Sequence, residues 1–149
     1  MASSTASSRQ HLFDIFNQFL RLARTAKLQY EQHLTRIEHE PAQDILANII
    51  NEENQHIEWL VTAIEDAGGQ AAAEHYDIAM PAEYEHMMRA DYDLESQIVD
   101  EYEDHLDEIW DPQLRSLAEV LLRQSREHKE EFRGLFEDFG TDELMGQAG

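Results

Sequence analysis

Residues 30–34 read Tyr-Glu-Gln-His-Leu, and 72 positions later residues 102–106 read Tyr-Glu-Asp-His-Leu. The same offset places Leu22 on Leu94, Ile37 on Ile109, His56 on His128, Glu58 on Glu130, Asp66 on Asp138 and Gly68 on Gly140, without a gap. Such a self-match reads as a duplicated unit. Within each copy the apolar residues recur at helical spacing, and the few prolines and glycines divide the chain into four helices. These are expected from about Gln10 to Glu38, Pro41 to Ala67, Pro81 to Trp110 and Pro112 to Phe139. Pro41 and Pro112 suit first helical turns, while Gly68-Gly69 and Gly140 suit C-terminal caps. Two short connections imply two antiparallel hairpins. The segment between them, Gln70 to Met80, spans about 40 Å when extended, enough to cross the length of a helix. The fold expected is all-α: a four-helix bundle of two repeated antiparallel hairpins over residues 10–140, with flexible tails at 1–9 and 141–149.

The 149 residues suit one domain, and 42% apolar residues are enough for a core. Acids outnumber bases 32 to 11, for a net charge of −21. A field of that sign repels phosphate, so neither nucleic acid nor an anionic membrane is an expected partner. The absence of cysteine rules out disulfides, thiolate metal sites and thiol nucleophiles. The polar start MASSTASSRQ lacks the apolar stretch of a secretory signal, and no apolar run is long enough to span a bilayer. A cytoplasmic protein is the expectation.

Each helix carries an apolar stripe, and what interrupts the stripes is informative. The second helix reads Ile45, Ile49, Glu53, His56, Leu60, Ile64; the third, Met88, Asp91, Glu95, Ile98, Tyr102; the fourth, Leu121, Ser125, His128, Phe132. Glu53, His56, Glu95 and His128 therefore stand at core positions, at similar depth from their hairpin loops. Burying them unpartnered would cost several kcal/mol each. A divalent metal removes that penalty, and carboxylate with imidazole suits iron, manganese or zinc. Hydrogen-bonded core polar groups are the alternative. The remaining histidines (His11, His33, His39, His75, His86 and His105) read as solvated or loop residues without a role. Phe13, Leu20 and Trp59 fall on outer faces, which points to a homodimer.

The motif Glu53-x-x-His56, preceded by Leu28-Gln-Tyr-Glu-Gln-His-Leu and followed by Asp93-Leu-Glu95, resembles the rubrerythrin and bacterioferritin branch of the ferritin-like proteins. The resemblance covers nearly the whole chain. It implies a di-iron or manganese site, oxidation of Fe(II), and reduction of oxygen or peroxide. Glu53 would be the bridging carboxylate, His56, Glu95 and His128 terminal ligands, and Tyr30 and Tyr102 hydrogen-bond donors to the ligands. Two positions depart from the pattern: Ala23 and Ser125 stand where it has glutamates.

The expected function is a metal-binding protein holding one or two iron ions, or manganese, with redox chemistry towards oxygen or peroxide. Without cysteine it carries no rubredoxin-type centre, so its electron donor would be a separate partner. The alternative is a non-catalytic bundle that has lost its di-iron site. Lys27, one turn beyond Ala23, would either place its ammonium in the vacated metal position or extend to the surface.

Overall fold

The computed structural model describes the backbone of residues 2–148 and the side chains of residues 8–137. The side chains of the tails expected at 1–9 and 141–149 lie wholly or largely outside the described ones, but the backbone is helical from Ala2 and again through Gly140 to Ala148, so the last helix does not stop at Phe139 and Gly140 does not cap it. Four helices follow in order: α1 (Ala2–Leu34), α2 (Glu40–Asp66), α3 (Tyr84–His105) and α4 (Pro112–Ala148). Helices α1 and α2 pack as one hairpin and α3 and α4 as the other, with α1 set against α3.

Local chemistry explains the helix ends. Gly68 has φ +94°, and the amides of Gly68 and Gly69 bond the carbonyls of Glu65 and Ile64 at 3.0 and 2.8 Å, closing α2 in a Schellman turn. Asp111 caps α4 by accepting from the Leu114 amide at 3.0 Å, with Pro112 in the first helical position. Two helices end sooner than their apolar spacing predicts. The first stops at Leu34 and the third at His105, followed by a 3-10 turn at Leu106–Glu108. The reason is shared: Ile37 and Ile109, related by the repeat, leave the helix to plug the hairpin ends, where both are buried. The third helix also starts later, at Tyr84, because Pro81 belongs to the connection.

Burial follows the duplication. Phe16 and Met88, Tyr30 and Tyr102, Ile49 and Leu121, His56 and His128, and Leu60 and Phe132 are 72 residues apart, and all ten are buried.

The connection after α2 runs along α1 as a strap. Asn17 donates to the Gln70 carbonyl at 3.0 Å and accepts from the Ala72 amide at 2.7 Å. Arg24 donates to the Ala72 carbonyl at 2.9 Å, Thr25 accepts from the Tyr76 amide at 2.9 Å, and Arg21 pairs with Glu74 at 2.6 Å. At its far end Gln29 accepts from the Ala79 amide at 2.9 Å and His33 donates to the Ala79 carbonyl at 2.7 Å. Polar residues repeating along one face of α1 thus satisfy an extended backbone that has no strand partner.

The strap overturns two expectations. With α1 covered by α2, α3 and the strap, Leu20 is fully buried instead of outward-facing. Phe13 is half-buried, its ring lying where any side chain at Gly69 would stand, 2.7 Å from an added Cβ. Trp59 does remain partly exposed. His33 is likewise buried and not solvated, because Asp91 on α3 faces its Nδ1 at 2.9 Å while Gln29 donates to the same carboxylate at 2.8 Å. Burial alone would lower the His33 pKa, but the Asp91 pairing raises it. Both ring nitrogens face acceptors, so the ring is held as the cation. Burial pushes Asp91 up, opposed by the bonds from His33 and Gln29. His11, His39, His75 and His86 are exposed, as expected, and His105 is half-buried against Glu108 at 2.5 Å.

Candidate metal centre

Three helices bring the seam residues together. Glu53 and His56 project from α2, Glu95 from α3 and His128 from α4, and all four are buried. His128 Nδ1 stands 3.3 Å from Glu53 Oε1 and 3.4 Å from Glu95 Oε1. One ligand atom each from Glu53, Glu95 and His128 lie within 4.8 Å of one another. His56 stands at the edge of this trio, its Nδ1 3.7 Å from Glu53 Oε2 and its ring over His128 at 5.7 Å.

The outer nitrogen of each histidine is held by the opposite hairpin. His128 Nε2 meets Glu52 Oε2 at 2.6 Å, and His56 Nε2 meets Gln124 Oε1 at 2.6 Å. Glu52 and Gln124 are 72 residues apart, so the repeat produces two equivalent clamps. Each acceptor fixes a proton on Nε2 and turns Nδ1 inward, the orientation in which an imidazole ligates a metal once Nδ1 has given up any proton it carries. Both residues precede seam positions, and neither clamp was drawn from the sequence. Tyr30 donates to Glu95 Oε1 at 2.8 Å, the role the resemblance implies. Its repeat mate Tyr102 makes no such bond among the described residues: the position equivalent to Glu95 is Ala23. Tyr102 is instead packed on Phe19 at 4.2 Å.

Four buried polar atoms in the described residues have no hydrogen-bond partner: Glu53 Oε1, Glu95 Oε2, Ser125 Oγ and His128 Nδ1. The two carboxylates approach His128 closely enough to attract it, but off the line that a hydrogen bond needs. Orphaned buried groups are costly and rare, and here three of the four residues that carry them form one cluster. Two oxygens and one imidazole nitrogen are donors that fit divalent iron or manganese. Ser125, one helical turn before His128, carries the fourth of these atoms and the third oxygen.

Without metal, the charges settle among themselves. Burial, reinforced by the negative Glu95, pushes Glu53 up to about 8. Burial works the same way on Glu95, but His128, Glu53 and Tyr30 outweigh it and hold its pKa below the ordinary value. Burial would lower His128, yet the two carboxylates prevail and push it up to about 12. His56 is lowered by burial, and so is neutral. The apo centre is therefore a carboxylate and an imidazolium, with a further carboxyl that keeps its proton below about pH 8.

Lys27 does not enter this space. It is more than a third exposed and pairs with Glu31 at 3.7 Å, the surface option of the two foreseen. Among the described residues no helix is long and apolar enough to cross a membrane.

No protein-family model and no curated protein sequence matches the chain. Solved structures do. A ferritin-like, diiron-carboxylate protein of Bacillus anthracis str. Ames superposes with a TM-score of 0.79 at 16% identity, covering 87% of this chain and 97% of its own. The dodecameric thioferritin of Bacteroides fragilis, a bacterioferritin-related protein, gives 0.82 at 15% identity, with 92% and 90% covered. The bacterioferritin of Desulfovibrio desulfuricans gives 0.84 at 15% identity, with 91% and 83% covered. At such identities the likeness speaks for the fold alone, and on the fold it agrees with the helices, their pairing and their order: this chain is a ferritin-like four-helix bundle.

Proposed function

We propose that the chain binds a single divalent metal ion, iron in preference to manganese, through Glu53, Glu95 and His128, with His56 at the margin, and uses it for redox chemistry with oxygen or peroxide. The observation that carries this reading is the cluster of Glu53, Glu95 and His128, whose ligand atoms lie within 4.8 Å of one another and each of which has a buried polar atom without a hydrogen bond. Ala23 and Ser125 argue for one ion. The position beside Glu53 and His56 lacks the carboxylate that Ala23 replaces, whereas the position between Glu53, Glu95 and His128 lacks only a second bridge.

The protein's own contribution is placement. Tyr30 fixes one oxygen of Glu95 and leaves the other for the ion. Glu52 fixes the His128 tautomer and makes the ring a stronger donor than a neutral partner would. Bound iron would supply one-electron chemistry, and its reductant would be a separate donor. We infer a cytoplasmic location. We infer a homodimer from the apolar surface around Trp59, with Phe13 partly exposed as well and Leu20 withdrawn by its burial.

Metal analysis of protein loaded anaerobically with Fe(II) tests the reading. One tightly held equivalent, lost in Glu95→Gln, is the expected result. Two equivalents would mean that both halves of the centre are competent. No binding would favour a second reading, a non-catalytic bundle, for which the close His128–Glu53 and His128–Glu95 contacts are the supporting observation.

A further inference from the structure

Reduction of hydrogen peroxide to two waters takes two electrons, and a centre holding one iron supplies only one as Fe(II) becomes Fe(III). A ring stack supplies a source for the other. His56 lies over His128 with centroids 5.7 Å apart and planes inclined by 20°, and Trp59 lies over His56 at 6.3 Å and 22°. His56 and Trp59 are three residues apart on α2, so one helix face carries both. At its inner end the stack reaches the imidazole that faces Glu53 and Glu95. At its outer end Trp59 lines a surface groove of about 740 Å³ with Ile57, Val61, Leu117 and Val120.

We propose that Trp59 is the second electron donor of the centre, delivering its electron inward through His56 and His128. The inference rests on the one-iron reading above. In the balanced step, Fe(II), one neutral indole, one hydrogen peroxide and one proton give Fe(III), one neutral indolyl radical and two waters. The O–O bond breaks, iron and indole are each oxidised by one electron, and the indole N–H proton supplies the second proton needed. A one-electron carrier protein or small-molecule reductant then restores the indole at the groove.

Tyr30 is nearer, but it is fully buried and its hydroxyl bonds to Glu95, so oxidising it would pass a proton to a metal-holding carboxylate. Trp59 lies where its proton can leave without disturbing a ligand. The other tryptophan, Trp110, is 54% exposed in the turn before α4 and stands outside the stack, which makes it the internal control.

The test uses the full chain and the variants Trp59→Phe, Trp59→Tyr and Trp110→Phe. Iron content is measured first, after anaerobic loading with Fe(II). Each sample is then mixed with one equivalent of hydrogen peroxide, freeze-quenched and examined by electron paramagnetic resonance. The expected result is a tryptophan radical in the parent and in Trp110→Phe, its loss to background in Trp59→Phe with iron content unchanged, and a tyrosyl signal in Trp59→Tyr. An undiminished radical in iron-loaded Trp59→Phe, or a tyrosyl radical in the parent, would overturn the proposal and leave the metal reading intact. A parent that binds no iron overturns the metal reading itself, and one that binds two removes the need for a second donor.

Discussion

Loading the centre must expel protons, and the structure says how many. An ion needs Glu53 as carboxylate and the lone pair of His128 Nδ1. At pH 7 His128, with its pKa pushed up to about 12, carries a full proton. Glu53, pushed up to about 8, is about nine-tenths protonated at that pH. Glu95, held below the ordinary carboxylate range, has none to lose. Binding should therefore release about two protons per ion at pH 7. Affinity should rise about 100-fold per pH unit below pH 8, and about tenfold per unit above it, once Glu53 is ionised. The apo protein moves the other way. Both folded-state pKa values lie above their unfolded values, so the stability they contribute is present in full only below about pH 4.5 for Glu53 and about 6.5 for His128. It is lost as pH rises through about 8 and about 12 respectively. Anaerobic titration calorimetry with Fe(II), in two buffers of different ionisation enthalpy, counts the protons. Glu53→Gln should lower the count to about one and weaken binding. Fewer than one proton released by the parent, or an affinity flat between pH 6 and 8, would refute the charge assignment.

Two further outcomes follow from the placement of neighbouring residues. Ala23→Glu with Ser125→Glu should raise the iron stoichiometry from one to two, since Ala23 is the repeat mate of Glu95 and its new carboxylate would give Tyr102 the acceptor that Tyr30 already has; the apo variant should melt below the parent, because added buried carboxylates repel, and recover on adding Fe(II). Asp91→Leu, which leaves His33 buried without its counter-charge, should cost about 3–5 kcal/mol in urea unfolding and speed hydrogen exchange at the Ala79 amide, whereas a loss under about 1 kcal/mol would show that the pair does not hold the strap.

The helices and the inner trio were legible because both rest on period. Apolar residues at helical spacing place the four elements, and a polar residue on such a stripe announces itself, as Glu53, Glu95 and His128 do. The strap was not legible in the same way. Its bonds join side chains of α1 to backbone between 46 and 55 residues away, and a polar stripe on a helix reads as a solvated face unless the extended backbone that covers it is known. The burial of His33 is hidden for that reason: on α1 alone it sits on a polar face, and only Asp91 and Ala79 enclose it. Glu52 and Gln124 could have been found by extending the repeat one residue ahead of Glu53 and Ser125, where the two outer clamps lie. The early end of α1 had a signal too, in the paired isoleucines at 37 and 109, but helical periodicity does not distinguish a final turn from a plug beneath it.

A duplicated hairpin carries a hazard of mistaken partnership. When the two halves of a chain resemble each other and a long connection joins them, the second half of one molecule can pack on the first half of another, and the exchange can propagate into aggregates. The strap limits this. Because residues 70–79 are bonded along α1 from Asn17 to His33, the chain entering α3 is anchored to the hairpin that precedes it. With the bonded strap in place, an exchange between molecules has only residues 80–83 left to act as its hinge. The polar stripe on α1 thus acts as a proofreader of assembly, keeping each hairpin with its own sibling.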